Sequence, residues 1–535
     1  MKNRISFLKK IAVLLLGIGI ANAAFAQQKP NIVLILVDDL GFSDIEPYGG
    51  IDIKTPNISK LADEGTIFKE FYNNSICAPT RASLLTGQYP HKAGVGYFNV
   101  NLGLPAYQGF LNKESLTLAE VLKSGGYSTI ISGKWHVGDD KDQWPAQRGF
   151  DRSFGFIGGA SNYYEINDSA TADVKLVKNN QPYYLEKGTY LTDAITDNAL
   201  GFLDEQSKEK KPFFLYLAFN APHWPLQALP EDIEKYKGIY SSGWDSLRVQ
   251  RYRQAIAKGV FDADQAIAKP DENLQSWNKL TYDEQQYWQY RQQVYAAMID
   301  HVDQAIGRLL DKLKELKKDE NTLIIFLSDN GAQGGNSLRL YTQRNTGPVG
   351  SAGSYEVQNS NWSQTGNSPL RNYKGTPYEG GISAPFIAWL PKSVPAATIA
   401  KGTGHLIDIA PTLYELAGIK YPAIYNGTHT NRLPGKSLLP VLYGKSDTIS
   451  RQGAIFWERG GNIAVRQGKW KLVQLVSTPG KYELYDLTKD RAENNDLAKE
   501  NPEIVAKLQK LYKEWALEND VVDYSRLRPQ SPAGR

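Results

Sequence analysis

The sequence predicts an α/β fold: a large, mostly parallel sheet flanked by helices, followed by a small antiparallel sheet with one helix. The first observation is a series of short, continuous apolar segments, which are typical of strands buried on both faces. The second is that helical patterns separate these segments. The third is a change to half-polar segments from about residue 441. A chain of 535 residues exceeds what one small core holds, so we expect a large domain and a smaller one.

Five apolar segments are the candidate strands of the large sheet. They are NIVLILVDD, YSTIISGKWH, PFFLYLAFNAPHWP, NTLIIFLSDNG and APFIAWLP, beginning at Asn31, Tyr127, Pro212, Asn321 and Ala384. Four of them end in polar side chains suited to chemistry. Ligands of open α/β sheets bind beyond the carboxyl ends of the strands, so we expect these side chains to form a single site. The polar side chains at these four strand ends are Asp38, Asp39, Lys134, His136, His223, Asp329 and Asn330.

Helical patterns lie between the strands. TPNISKLADEGTIF, from Thr55, has a Thr–Pro start and a Gly stop, and SLTLAEVLKSGGY is a second helix. The longest helix is predicted over roughly residues 283–317, where apolar residues from Val294 to Leu313 recur on one face.

The C-terminal part reads differently. AIFWERGGNIAVRQGKWKLVQL and YELYDL predict short strands with Gly turns, and Pro502–Leu517 predicts an amphipathic helix. We therefore predict a main domain over residues 27–440 and a C-terminal α+β subdomain over 441–535.

Residues 1–26 have the pattern of a secretory signal peptide, with four basic residues, a short apolar stretch and AFA at the end. This segment predicts export by the Sec machinery, and we expect no membrane anchor. Without those four residues, 57 basic residues balance 57 acidic ones, which argues against a nucleic-acid-binding protein. The single cysteine excludes an intramolecular disulfide, so we expect a bacterial protein, periplasmic or secreted.

Asp38, Asp39, Asp329 and Asn330 are all hard oxygen donors. Adjacent buried carboxylates repel each other and need a cation or protons. Oxygen donors favour Ca²⁺ or Mg²⁺, whereas zinc would require more His or Cys. The alternative is that each pair caps the helix that follows it.

Lys134, His136, His223 and Lys374 are the candidate ligands of an oxyanion, because negative charge grows on peripheral oxygens in the transition state of such a substrate. The alternative is that they are solvated lysines and hydrogen-bonded structural histidines. That alternative is stronger for Lys374, which lies in the loop RNYKGTPYEGG.

Cys77 lies in CAPTRASLLTG, where Pro79 predicts the first turn of a helix. The positive end of that helix would stabilise a thiolate or another anion at Cys77. Arg81 lies one turn further along and could face the same place. The alternatives are a small buried side chain, or the nucleophile of a cysteine protease or thioesterase.

Together these segments resemble the type I sulfatases. Cys77-Ala78-Pro79-Thr80-Arg81 matches the C-x-P-x-R signature of that family, and LILVDDLGFSD, GKWHVG, APHWPLQ, SDNG and KGTPYEGGISAPF follow in the family's order. The resemblance is greatest to bacterial arylsulfatases and implies an alkaline-phosphatase-like fold. It implies hydrolysis of a sulfate monoester, either an aryl sulfate or a sulfated sugar.

The resemblance also implies a role for each candidate. Cys77 would be oxidised by a formylglycine-generating maturation enzyme, and its hydrated aldehyde would attack sulfur. Asp38, Asp39, Asp329, Asn330 and the modified Cys77 would hold Ca²⁺, with Mg²⁺ the less favoured ion. Arg81 would brace the nucleophile, Lys134 and Lys374 would bind sulfate, His136 would accept a proton, and His223 with Lys374 would assist the leaving oxygen.

Two alternatives stay open. A phosphonate or phosphate ester hydrolase of the same superfamily can share the C-x-P-x-R signature, but the phosphonate hydrolases tend to have His where this chain has Asn330. A catalytically inactive, glycan-binding protein on the same scaffold is the second alternative. It should have lost at least one catalytic residue, and none is missing.

Overall fold

The computed structural model describes residues 29–164, 175–334, 343–449, 451 and 453–527. The predicted signal peptide lies outside these residues. The strands are β1 Asn31–Asp38, β2 Thr66–Tyr72, β3 Ser128–Gly133, β4 Arg152–Phe156, β5 Leu176–Lys178, β6 Gln181–Pro182, β7 Phe213–Pro222, β8 Thr322–Ser328, β9 Phe386–Trp389, β10 Thr398–His405, β11 Ile424–Tyr425, β12 Thr428–His429, β13 Ile455–Arg459, β14 Asn462–Gln467, β15 Trp470–Gln474 and β16 Tyr482–Asp486.

The α-helices follow the same chain order. They are α1 Pro56–Asp63, α2 Cys77–Thr86, α3 Leu118–Ser124, α4 Leu191–Ser207, α5 Pro230–Glu234, α6 Gly243–Ala257, α7 Tyr282–Glu315, α8 Ser360–Gly366, α9 Glu379–Ile382, α10 Ile409–Ala417, α11 Leu439–Leu442 and α12 Pro502–Glu518. Within the described ranges, no helix has the length and apolar character needed to cross a membrane.

The main sheet has ten strands in the order β10-β2-β9-β8-β1-β7-β3-β4-β5-β6. β8, β1, β7, β3 and β4 run parallel, and β2 pairs in parallel with β10. β9 lies antiparallel between β8 and β2. The predicted mostly parallel α/β sheet is therefore confirmed, with the carboxyl ends of its central strands at one edge.

The sequence of β1 explains its central position. All eight of its residues are buried. Val33, Ile35 and Val37 face a core that includes α7, whereas Ile32, Leu34 and Leu36 face a second core that includes α2, α3 and α10. A continuous apolar run is needed because helices cover both faces of the sheet.

Five strands of this sheet escape the sequence analysis: β4, β5 and β6 at one edge, and β2 and β10 towards the other. β2 directly follows α1 and has Lys69 and Glu70 in its middle, which break the apolar run. β10 contains an exposed lysine, Lys401, and two glycines, and half of its residues are buried. Neither pattern predicts a buried strand, because edge strands carry polar residues that central ones exclude.

The C-terminal part forms the predicted antiparallel sheet, in the order β13-β14-β15-β16, with α12 beside it. Alternate residues of its strands contact different layers. Trp457, Ala464 and Val473 pack towards the main domain, whereas Val465 and Leu472 pack against α12. The division at residues 440/441 stays a prediction; α11 spans it, and this sheet begins only at Ile455.

Candidate active site

The end of β1 places two adjacent carboxylates at the edge of the sheet. Asp38 is the last residue of the strand, and Asp39 turns the chain with a left-handed backbone, φ 69°. Non-glycine residues rarely adopt this conformation, and it is tolerated where the surroundings fix it. Here the Asp39 amide donates to Asp329 Oδ1 at 3.1 Å, and the Tyr295 hydroxyl donates to the Asp39 carbonyl at 3.1 Å.

Three buried oxygens of the predicted metal site lack a hydrogen-bond partner within the described part of the chain. They are Asp38 Oδ1, Asp39 Oδ2 and Asn330 Oδ1. Buried polar atoms are normally satisfied, and carboxylate and amide oxygens are the ligands that Ca²⁺ prefers. One ligand atom from each of Asp38, Asp39 and His223 also lies within 4.8 Å of the others. The residues therefore fit a hard cation.

α2 places Cys77 and Arg81 beside this cluster. Cys77 is the first residue of the helix and is buried. Burial raises the pKa of its thiol, against the lowering effect of Lys134 and Lys374, so the helix terminus does not produce a thiolate. A plain cysteine nucleophile is thus not activated here. Arg81, fully buried, lies 3.4 Å from Asp38 Oδ2 and 3.5 Å from Asp329 Oδ2.

The charges of this cluster set the protonation of its carboxyls. Burial alone would raise the pKa of Asp38, but the positive charges of Lys134 and Arg81 hold it below its usual range. The pKa of Asp329 is raised by burial and by the negative charge of Asp38. A bound cation would replace the proton that this arrangement favours.

The turn after β3 supplies a lysine and a histidine. Lys134 Nζ donates to Asp38 Oδ2, and Arg81 Nη1 donates to the Lys134 carbonyl at 3.1 Å. His136 has a left-handed backbone, φ 61°, and is fully buried. Gly159 lies against its imidazole, where an added Cβ would be 2.4 Å from Nε2.

Asn99 determines which nitrogen of His136 carries the proton. The Asn99 amide nitrogen donates to Asp139 Oδ2 at 3.3 Å, so its amide oxygen faces His136 Nε2 at 3.2 Å. An amide oxygen only accepts, and Nε2 therefore carries the hydrogen. His136 Nδ1 is buried without a hydrogen-bond partner among the described residues. Burial and the nearby Lys134 charge lower the pKa of this histidine, which leaves Nδ1 as a free acceptor.

His223 follows β7. Its Nδ1 donates to the Trp224 carbonyl at 2.8 Å, and its Nε2 lies 3.7 Å from Asp39 Oδ2. Burial lowers its pKa to about 4 despite the carboxylates of Asp39 and Asp38. In the neutral ring Nε2 accepts a hydrogen bond or a metal ion, and it donates only after protonation.

Lys374 reaches the site from the loop before α9. Its Nζ lies 2.6 Å from Asp39 Oδ1, which also accepts a hydrogen bond from the Asn330 amide at 2.6 Å. The negative charges of Asp39 and Asp38 raise its pKa against the effect of burial, so it stays positively charged. Lys374 is therefore largely shielded, with a side chain 9% exposed, and paired, unlike the solvated loop lysine of the alternative interpretation.

The structure brings all ten predicted site residues to one edge of the sheet, while their chemical roles stay predictions. Sequence reasoning missed Asn99, Tyr295 and Tyr216, which lies 3.4 Å from Arg81 Nη1. Asn99 lies in a segment with no recognisable pattern. Tyr295 and Tyr216 look like ordinary core residues of a helix and a strand, so neither gives a separate signal.

Comparison with known proteins yields two family models. The model described as Sulfatase matches residues 30–419, and the model described as N-sulphoglucosamine sulphohydrolase, C-terminal, matches residues 373–518. An arylsulfatase of Klebsiella aerogenes is 35% identical over 76% of this chain and 90% of its own length. An uncharacterized sulfatase of Schizosaccharomyces pombe is 34% identical over 94% of this chain and 96% of its own.

Further similarities extend to an animal enzyme and a crystal structure. The N-acetylgalactosamine-6-sulfatase of Canis lupus familiaris is 30% identical over 85% of this chain and 73% of its own length. The crystal structure of Ps i-CgsB in complex with k-i-k-neocarrahexaose has a TM-score of 0.69 and 28% identity. It covers 92% of this chain and 94% of the other.

Proposed function

The chain belongs to the sulfatase family, and from this membership we propose how it hydrolyses sulfate esters. The proposed nucleophile is formylglycine produced from Cys77 by a maturation enzyme. One oxygen of the hydrated aldehyde would attack sulfur and displace the alcohol oxygen of the ester, which breaks the S–O bond. Loss of the proton from the second hydroxyl would then expel the sulfate as the aldehyde re-forms. The raised pKa of the Cys77 thiol supports this proposal over a plain thiolate mechanism.

We assign the metal to Ca²⁺. Asp38, Asp39, Asp329, Asn330 and the modified Cys77 side chain would hold it, and its positive charge would stabilise the nucleophile and the sulfate oxygens. The observation that carries this assignment is the group of three buried, unpartnered oxygens on Asp38, Asp39 and Asn330. His223 Nε2 is near enough to serve as a further ligand.

The remaining side chains bind sulfate and move protons. Lys134 and Lys374 would bind the sulfate oxygens, and Arg81 would hold the carboxylates and the nucleophile in place. His136 Nδ1, the free acceptor, would take the proton of the second hydroxyl. His223, once protonated, would assist the departing oxygen together with Lys374.

The proposed setting follows the sequence. Residues 1–26 would direct export through the Sec machinery to the bacterial periplasm or the medium. Residues 27–440 would hold the catalytic site, with 441–535 as the C-terminal subdomain. The substrate would be an aryl sulfate or a sulfated sugar, as the names of the relatives include both kinds of sulfatase.

Rates on matched esters test the reaction. The purified protein, matured in its native host, should hydrolyse an aryl sulfate faster than the corresponding aryl phosphonate monoester. A strong preference for the phosphonate would contradict the sulfatase mechanism and indicate a phosphonate hydrolase. Binding of sulfated sugar without turnover of any ester would favour the inactive glycan-binding alternative.

A further inference from the structure

Arg459 extends from the C-terminal sheet to the loop that holds Lys374. It is the last residue of β13, and the two glycines after it, Gly460 and Gly461, have φ of 57° and 85°. These left-handed residues form a tight hairpin turn that pairs Arg459 with Asn462. Arg459 Nη1 donates to the Gly375 carbonyl at 3.5 Å, at the outer limit of a hydrogen bond.

Two further contacts hold this hairpin in position. Glu458, the residue before Arg459, accepts a hydrogen bond from the Gly461 amide at 2.7 Å. Its other oxygen lies 2.7 Å from Nε2 of the buried His91. Gly375, in turn, donates its amide to the Ser75 carbonyl at 2.7 Å, two residues before Cys77. The guanidinium therefore lies next to the loop that holds Lys374.

Among the described residues, the positive charge of Arg459 lacks the carboxylate partner that the cations of the active site have. Lys134, Arg81 and Lys374 each have a carboxylate within 4.0 Å. Within the described ranges Arg459 has no such ion pair, and its Nε is buried without a hydrogen-bond partner. Its guanidinium instead lies over the Tyr97 ring, 5.8 Å from the centroid. Its Nη2 makes no hydrogen bond within the described ranges and is not buried, so this side of the guanidinium is open to a ligand.

The chemistry that satisfies such an arginine is an oxyanion. The planar guanidinium matches a carboxylate or a sulfate with two parallel hydrogen bonds. Arg459 makes no hydrogen bond or ion pair with Cys77, Asp38 or Asp39 among the described residues. It would therefore bind a different group from the sulfate that is cleaved, while a sugar or phenyl ring contacts Tyr97.

We propose that Arg459 and Tyr97 form a recognition site for a second oxyanion, carried by the leaving group of the substrate. The substrate class is then a sulfate monoester of an acidic alcohol, such as a sulfated saccharide with an additional carboxylate or sulfate. This inference rests on the proposed sulfatase reaction. It adds that the alcohol released in that reaction carries a negative charge.

Position isomers of sulfated hydroxyphenylacetic acid test the site. Each acid is compared with its methyl ester, which keeps the sulfate to be cleaved but lacks the carboxylate charge. Each acid is also compared with an analogue in which a sulfonate replaces the carboxylate, so that recognition of the two anions can be separated. The wild-type protein should prefer at least one charged probe over its ester by about tenfold in kcat/KM. In Arg459→Gln this ratio should fall to about one, and in Arg459→Lys it should take an intermediate value.

The control is Arg253→Gln, which removes the same charge from an exposed position on α6 and should keep the wild-type ratio. The proposal is overturned if no isomer shows a charge preference, or if the preference survives in Arg459→Gln. Should Arg459→Gln fail to fold, an unchanged ratio in Arg459→Lys overturns it instead.

Binding to the Cys77→Ala protein separates this inference from the proposed reaction. Tighter binding of the charged probe than of its ester, lost on adding Arg459→Gln, supports the recognition site even if the wild-type protein turns over no ester. Turnover of esters with equal binding of both probes supports the reaction and overturns the site.

Discussion

Two buried charged clusters of the molecule differ in how well their polar atoms are satisfied. The strand-end cluster comprises Asp38, Asp39, Asp329, Asn330, Arg81, Lys134 and Lys374. The inter-sheet cluster lies between the main sheet and the C-terminal sheet and comprises Glu70, Tyr72, Glu379, Arg466, Lys471 and Glu493. Both Glu379 oxygens are paired, one with Lys471 at 2.8 Å and the other with the Tyr72 hydroxyl at 2.6 Å. The strand-end cluster keeps three oxygens without a partner.

This difference separates a structural cluster from one built to bind. In the inter-sheet cluster every carboxylate has a counterion within 4.0 Å, and Glu493 Oε1, which makes no hydrogen bond among the described residues, still lies 2.8 Å from Lys471. Such a network specifies how two sheets pack. Unpaired oxygens at the strand ends cost free energy unless a ligand satisfies them. The comparison predicts that changes in the first cluster affect activity and metal binding, whereas changes in the second affect stability.

The largest effect is expected at Cys77. Cys77→Ala removes the proposed nucleophile, and turnover of an aryl sulfate should fall by at least roughly 10⁴-fold. Its small side chain should cost only about 1 kcal/mol of unfolding free energy. Steady-state rates and urea unfolding measure the two effects; residual activity above one per cent would contradict the role.

Removal of the metal is expected to have the next largest effect. Chelation should lower turnover by at least about 100-fold, because the cation would stabilise charge in the transition state. Adding Ca²⁺ back should restore turnover and raise the Tm of the chelated protein by several degrees. Asp39→Asn should weaken both responses.

Asp63→Asn, at the exposed end of α1, is the matched control for Asp39→Asn. It should respond to Ca²⁺ like the wild type. Equal Ca²⁺ responses in Asp39→Asn and Asp63→Asn would place the cation elsewhere.

The inter-sheet cluster should give the opposite result. Lys471→Met leaves Glu493 buried without its counterion and leaves Glu379 to the more distant Arg491, at 3.6 Å, which should lower the unfolding free energy by about 3–5 kcal/mol. The folded fraction should keep its kcat. Lys469→Met removes a half-exposed partner of Asp486 and should cost at most about 1 kcal/mol. A loss of kcat in Lys471→Met, with stability unchanged, would reverse the comparison.

Substitution of Asn99 is expected to have the smallest effect, and it tests how the ring of His136 is oriented. Asn99→Leu removes the acceptor that holds His136 Nε2–H, so kcat should fall about tenfold with little change in KM. Asn99→Asp keeps an acceptor and should recover part of the rate. Asn101→Leu, an exposed neighbour, serves as the control; a similar loss there would indicate a general disturbance of the loop.

The parts of the molecule that the sequence predicts are those whose signal is local. β1, β3, β7 and β8 are continuous apolar runs, and the side chains that follow them meet because parallel strands share an edge. β2 and β10 lie nearer the edge and lack that run. Asn99 and Arg459 acquire their meaning only from contacts with distant segments, His136 and Gly375, which no local pattern records.

Mass spectrometry of the Cys77 peptide, from protein made in the native host, shows whether the proposed nucleophile is present. The residue should have lost its sulfur and should carry an aldehyde, detectable by reaction with a hydrazine. An intact thiol in catalytically active protein would contradict the proposal.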